Sequence, residues 1–262
     1  MNGVCSGMRM TLGYERDGKG VNYAIIMSGG MGTRMKMGDR PKQYIEVGGK
    51  PILAYTLERF QKAKYVDRIV IVAAEQWRDY LTQWIDKLGI SHFYAFADPG
   101  ETRQESVLSG LKACLNGENT EDDLVAVQDG VRPLLSVGQI EHCIEAARGH
   151  DGVLPVRPMV ETIYHSEDGS TIDDVPDRSK VYSGQTPEVF RLLKYVKVHD
   201  QATRQEIAEA RGSSVLAFKY GMDIALVQGD ERAFKLTTKA DMEYFCWLVG
   251  EEMPGRGEEA NV

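Results

Sequence analysis

Four short apolar runs recur through the first half of the chain, and none of them shows polar alternation. They are Tyr23-Ala24-Ile25-Ile26-Met27, Arg68-Ile69-Val70-Ile71-Val72-Ala73, Phe93-Tyr94-Ala95-Phe96 and Leu124-Val125-Ala126-Val127. Segments of helical spacing lie between them. Pro51 opens one as a first helical residue, with Leu53, Leu57 and Phe60 on a single face. A second runs from Trp77 to Leu88, and Val107, Leu108, Leu111 and Leu115 mark a third that Gly117 ends. Uninterrupted apolar strands separated by helices predict a parallel sheet covered on both faces. The expected fold is α/β, a Rossmann-like, mostly parallel sheet with helices on both faces. In such sheets ligands bind beyond the carboxyl ends of the strands.

The regular pattern breaks after Pro158. Residues 159–181 are polar and carry Glu167-Asp168-Gly169-Ser170, a hairpin-turn signal, which predicts a protruding β-arm. A late strand, Ala225-Leu226-Val227, and a closing helix with Met242, Phe245, Cys246 and Val249 return to the main fold. Residues 22–250 are expected to form one domain, with 1–21 a loose extension and 251–262 a frayed tail. Four cysteines (Cys5, Cys114, Cys143 and Cys246) are far apart and form no CxxC pair, which fits ordinary thiols in a reducing, cytoplasmic compartment. A net charge of −8 argues against a nucleic-acid partner. No apolar run approaches a membrane span. The five histidines show no metal-ligand spacing.

The first strand runs into Ser28-Gly29-Gly30-Met31-Gly32-Thr33-Arg34-Met35, which is followed by Arg40-Pro41-Lys42-Gln43. Glycines let the backbone approach a phosphate and aim N–H groups at it, and Arg34 and Lys42 add two cations. The Walker spacing is absent. The dinucleotide fingerprint loses its third glycine to Met35, so a reductase reading weakens. A nucleotidyltransferase loop remains, alongside the competing reading of a tight turn with surface charges.

Further blocks accompany the loop in a fixed order. They are Pro41-Lys42-Gln43-Tyr44, Gly100-Glu101-Thr102-Arg103-Gln104-Glu105-Ser106-Val107, Asp129-Gly130-Val131-Arg132-Pro133, Glu161-Thr162-Ile163, Gly184-Gln185-Thr186-Pro187 and Phe234-Lys235-Leu236-Thr237. From about Tyr23 to Tyr244 the chain resembles the family containing methylerythritol-phosphate and ribitol-5-phosphate cytidylyltransferases. The resemblance implies that Ser28, Gly29, Gly30 and Gly32 bind the nucleotide, with Arg34 and Lys42 as catalytic cations. It places Gly100, Glu101 and Ser106 on the cytosine and ribose side, although capping of the following helix competes for Ser106. It puts Asp129 beside a metal and the ribose, and Lys235 near the triphosphate. Arg132, Thr162, Arg178 and Thr186 would bind the acceptor phosphate, with a structural salt bridge the rival role for Arg132. Thr162 and Arg178 flank the arm, which in the family crosses to a second subunit, so a homodimer is expected.

The implied chemistry is attack by an acceptor phosphate oxygen on the α-phosphorus of CTP, with Mg²⁺ bridging phosphate oxygens. The expected acceptor is a small polyol phosphate. Ribitol 5-phosphate is favoured over methylerythritol phosphate because the run Tyr182-Ser183-Gly184-Gln185-Thr186-Pro187 resembles the ribitol branch. One departure stands out: Arg211-Gly212-Ser213-Ser214 fills the place of a Thr-Asp pair found in both branches. Closing a helix or clamping a phosphate are the two roles open to Arg211. From another class, a non-catalytic nucleotide-binding protein is the alternative, against which both loop cations are present.

Overall fold

The computed structural model describes residues 20–30 and 40–250. The extension, the tail and the loop tip carrying Gly32 and Arg34 therefore lie outside the described residues, apart from Gly20, Val21 and Gly250. The first strand, β1 (Asn22–Met27), is followed by a small antiparallel pair, β2 (Glu46–Val47) and β3 (Lys50–Pro51). Next come α1 (Ile52–Lys62), β4 (Arg68–Val72), α2 (Arg78–Leu88), β5 (Phe93–Ala97), α3 (Arg103–Cys114) and β6 (Leu124–Asp129). The second half supplies α4 (Val137–Ala146), β7 (Gly152–Pro158), β8 (Tyr182–Gly184) and β9 (Glu188–Arg191). It closes with α5 (Leu192–Gln201), α6 (Arg204–Glu209), α7 (Ser213–Lys219), β10 (Ile224–Gln228) and α8 (Lys239–Val249).

The sheet runs in the order β10-β7-β9-β6-β1-β4-β5, with β8 paired to β7. Pairings within β6-β1-β4-β5 and between β7 and β10 are parallel, whereas β9 runs antiparallel to both β6 and β7. The expected mostly parallel α/β sheet is what forms, with β8 and β9 as its reversed members. Both faces are covered, so each central strand sends alternate residues into two separate cores. Ala24, Ile26, Ile69, Ile71, Leu124 and Ala126 pack with α1, α2 and α4. Tyr23, Ile25, Val70, Val72, Val125 and Val127 pack with α3, α5, α6 and α7. A third cluster joins α8 to the base of α1 through Ile52, Leu134, Leu236, Met242 and Phe245.

Three local expectations shift. Pro51 is the N-cap of α1 and not its first helical residue, because its ψ of 150° is extended. Trp77 belongs to a short 3-10 turn ahead of α2. The stripe of α3 is Gln104, Val107, Leu111 and Cys114, and the helix ends there, leaving Leu115 as its C-cap and 37% exposed. Gly110 supplies the close contact: a Cβ there would sit 2.6 Å from Ile25.

The arm leaves β7 and returns through β8. Its tip is a turn closed by Asp168, whose carboxylate accepts from the backbone N–H and hydroxyl of both Ser170 and Thr171. These bonds hold Asp168 well below the usual carboxylate range. One bridge, His165 with Asp174, pairs the two sides. Cys114, Cys143 and Cys246 are buried and outside any disulfide, and burial pushes the Cys143 thiol up to about 12. No helix among the described residues is long and apolar enough to cross a membrane.

Candidate functional site

From β1 the chain passes to β4 on one side, and later places β6 on the other. The loops after β1 and β6 thus flank a topological switch point at the carboxyl edge of the sheet. Several bonds fix the first of these loops at its start. Gln43 donates its amide to the carbonyls of Ser28 (2.7 Å) and Gly30 (2.8 Å), and Ser28 donates its hydroxyl to that of Tyr44 (2.8 Å). Gly29 lies against Pro99, where a Cβ would approach within 2.5 Å, so the β1 loop and the loop after β5 touch. At the far end of the loop, the Arg40 guanidinium sits 5.0 Å from the Tyr80 ring centroid and 3.4 Å from Glu46. Sequence reasoning passed over Arg40, since a stacking role depends on rings from α2.

Beyond β5, Gly100, Glu101 and Ser106 surround the start of α3. Thr102 and Glu105 form a capping box. The Gly100 N–H donates to the Ser106 hydroxyl (2.9 Å), which donates to the Thr102 carbonyl (2.9 Å). Ser106 therefore does serve the helix start. A Cβ on Gly100 would come 2.3 Å from that of Glu105, so only glycine fits this fold-back. Gly100 and Glu101 are exposed.

Asp129 is the last residue of β6 and is buried. A bare carboxylate there would carry a large desolvation cost, and three cations surround it: Lys235 at 3.0 Å, Arg132 at 3.3 Å and Arg103 at 3.6 Å. Burial pushes the Asp129 carboxyl up, but Lys235, Arg103 and Arg132 outweigh it and hold the group far below the usual range. Arg132 also donates to the Ala233 carbonyl (2.6 Å), and the Leu236 N–H donates to the Val131 carbonyl (2.9 Å). The segment carrying Lys235 is thereby tied to the β6 loop. Lys42, half-buried, donates to the Leu236 carbonyl at 2.6 Å and is thereby tied to the segment that carries Lys235. The cluster gathers Arg103, Asp129, Arg132 and Lys235 from widely separated parts of the chain.

Thr186 lies next to this group, its hydroxyl accepting the Asp129 N–H at 3.3 Å. Thr162 and Arg178 are elsewhere: both are exposed on the arm, and Arg178 donates to the Val160 carbonyl (2.7 Å). Arg211 is exposed between α6 and α7. Gly212 is the N-cap of α7, so the segment opens a helix as well as following one. Two residues at the site escaped sequence reasoning. Arg103 bridges Asp129 and Glu188, and Glu188 is buried at the start of β9. Arg103 stands inside a quoted block, yet nothing in that block signals an ion pair with a residue 85 positions away.

Asp129 is the natural carboxylate for a divalent cation here. No cluster of three or more His, Cys, Asp or Glu side chains suited to a metal occurs among the described residues. The donor set therefore fits an ion that arrives with phosphate oxygens and water supplying most of its ligands.

Most of the chain is similar to known proteins. The family model for IspD, 2-C-methyl-D-erythritol 4-phosphate cytidylyltransferase, matches residues 22–248. A ribitol-5-phosphate cytidylyltransferase of Vibrio parahaemolyticus is 38% identical over 229 residues, covering 87% of this chain and 96% of that protein. A 2-C-methyl-D-erythritol 4-phosphate cytidylyltransferase of Halalkalibacterium halodurans is 36% identical over 234 residues, covering 88% and 99%. Among solved structures, a 4-diphosphocytidyl-2C-methyl-D-erythritol synthase of Anaerococcus prevotii superposes with a TM-score of 0.75 at 26% identity, over 88% of this chain and 96% of that one. With its glycine loop at the switch point and its cations gathered on Asp129, the chain belongs to the IspD family of cytidylyltransferases and is an enzyme of the nucleotidyltransferase class.

Proposed function

We propose that this enzyme transfers CMP from CTP to a polyol phosphate, with ribitol 5-phosphate the preferred acceptor, and releases pyrophosphate. The observation that carries the reading is the convergence of Lys235, Arg103 and Arg132 on the Asp129 carboxylate, with Lys42 tied to the Lys235 segment through the Leu236 carbonyl, beside a glycine loop. Cations outnumber carboxylates there, which suits a triphosphate meeting a second phosphate.

An acceptor phosphate oxygen attacks the α-phosphorus, and the bond from that phosphorus to the oxygen bridging to the β-phosphate breaks. The nucleophile is already anionic, so no strong base is required. The barrier lies in bringing two anions together and in charge developing on the transferring group, which fixed cations offset. Lys42 and Arg34 face the triphosphate in this reading, Lys235 supports the phosphates, and Gly29, Gly30 and Gly32 bring backbone N–H groups to them. Gly100, Glu101 and Ser106 receive the cytidine. Asp129 would hold Mg²⁺, which would supply charge neutralisation for the phosphates. Arg132, paired with the Asp129 carboxylate, and Thr186, which accepts the Asp129 N–H, take the acceptor phosphate in this reading. A cytoplasmic enzyme fits buried cysteines that form no disulfide among the described residues.

The protein acts as a homodimer in this account, with Thr162 and Arg178 contributed to the partner's acceptor site. The arm supports this: Val160, Tyr164, Ile172, Val175 and Tyr182 are each at least 45% exposed on or beside it. An array of that kind on one small projection marks an interaction surface.

Ribitol 5-phosphate is the preferred acceptor because the 38% identical relative carries that name. The methylerythritol reading keeps a specific support, since the matching family model and the 36% identical relative carry that name. Steady-state kinetics with both acceptors decide between them. A site that bonds an additional hydroxyl strands its own polar groups when that hydroxyl is missing. The ratio of kcat/KM should therefore favour ribitol 5-phosphate by at least about tenfold, and an equal or reversed ratio removes the ribitol assignment.

A further inference from the structure

α7 begins without a side-chain cap of its own. Its N-cap is Gly212, and no side chain of that residue can accept from the first free N–H groups. Those groups are satisfied from another element. Glu188, at the start of β9, accepts from the N–H of Ser213 (3.2 Å) and of Ser214 (2.6 Å). The same carboxylate pairs with Arg103 at 3.3 Å, and Arg103 donates to the Ser213 hydroxyl at 2.9 Å and faces Asp129 at 3.6 Å. The Glu188 side chain is 5% exposed, and two backbone N–H groups and a guanidinium share its carboxylate.

Placement gives this strut a direction. Asp129 divides the crevice, with the loops of β1 and β5 on one side and β9 on the other, where Val127 pairs with Glu188. On the proposed function, the glycine loop side takes CTP, which leaves the β9 side for the second substrate. We propose that Glu188 and Arg103 are positioning residues for the acceptor: Glu188 caps α7 across the fold, and Arg103 locks that cap to Asp129. The inference rests on the cytidylyltransferase reading for its kinetic consequence and on geometry alone for the cap.

The geometry also supplies a rescue. Gly212 has extended backbone, with φ −152° and ψ 159°, which any residue adopts. A Cβ placed there meets nothing nearer than Val215 at 3.7 Å, and lies 3.9 Å from a Glu188 carboxylate oxygen. Asp at 212 is a strong local cap. Beside an intact Glu188, however, it sets two carboxylates against one another.

The test compares wild type, Glu188→Gln, Gly212→Asp and the double variant by acceptor and CTP kinetics and by thermal melting. Glu188→Gln should raise the acceptor KM about tenfold, since small misplacements of a binding wall carry large kinetic losses. Its CTP KM should stay within about twofold of wild type. Gly212→Asp should impair wild type yet restore the acceptor KM and melting temperature of Glu188→Gln. CTP and acceptor KM rising together would overturn the positioning role, as would lowered melting with both KM values intact. A double variant no better than Glu188→Gln would overturn the cap. If wild type released no pyrophosphate with any polyol phosphate, the function reading would fall, and the positioning role with it. The melting temperatures of the four variants would still decide the cap.

Discussion

Asp129 and Lys42 meet at the same crevice with opposite demands on their surroundings. The carboxylate is buried and persists because Lys235, Arg132 and Arg103 hold it charged. The ammonium is only half-buried, donates to the Leu236 carbonyl and helps to lower the Asp241 pKa. A side chain that contributes charge more than packing can be neutralised without unfolding the domain. Lys42→Met and Arg34→Met should each lower kcat by about 10²–10³, by analogy with loss of a single oxyanion donor. Circular dichroism melts of both should match wild type. Near-normal pyrophosphate release from either folded variant would take that residue out of the transition state. Residue positions were legible where a motif stands next to a strand end, as with Ser28 after β1 and Asp129 at the end of β6. Roles were not legible where they depend on a distant partner. Glu188 reads as an ordinary charged residue after Gln-Thr-Pro, and only the register of β9 against β6 brings its carboxylate to Arg103.

At the level of elements, the apolar runs marked β1, β4, β5 and β6 to within a residue or two, because burial on both faces leaves no polar alternation. Strand direction has no such signature. β9 sets Val189 and Phe190 between Glu188 and Arg191, a pattern that carries no direction, and its antiparallel course follows from the arm reversing the chain between β7 and β8. The helices α5 to α7 were not assigned from the sequence, and polar contacts contribute to how they sit on the sheet. Tyr195 donates to the Ser213 carbonyl (3.1 Å), and His199 lies 3.1 Å from the Gln104 amide nitrogen. The other ring nitrogen of His199 is 3.0 Å from the Tyr195 carbonyl. A carbonyl only accepts, so Nδ1 carries the proton and Nε2 accepts from Gln104, which requires a neutral ring. Burial accordingly lowers the His199 pKa below its usual value. The unfolded chain then binds a proton that the folded chain refuses. This contribution to stability is complete above about pH 6.5 and declines as pH falls from there toward the folded value. Urea unfolding of wild type and His199→Gln should show a stability gap that narrows between pH 8 and pH 5. A constant or widening gap would contradict a neutral, buried imidazole.

On the scale of the whole molecule, one compact α/β body carries the cationic crevice, and an exposed arm carries Thr162 and Arg178. The arm has a single bridge and a carboxylate-closed turn to organise it, with its large apolar groups facing outward. Even a two-stranded hairpin needs a further surface for independent stability, and an arm with one bridge needs it more, which is the physical ground for expecting a second subunit. Mixing Arg178→Ala with Lys42→Met subunits, each inactive alone, should restore one working site per mixed dimer if the arm acts across the interface. No recovery after verified subunit exchange would confine the arm to its own subunit. The central claim is the transfer itself, and phosphorus NMR follows it without a coupled assay. Enzyme, Mg²⁺, CTP and ribitol 5-phosphate should yield pyrophosphate and a new diphosphate diester in equal amounts, both absent when GTP or ATP replaces CTP or when the acceptor is omitted. Pyrophosphate without the diester, or consumption of neither substrate by folded enzyme, would contradict the account.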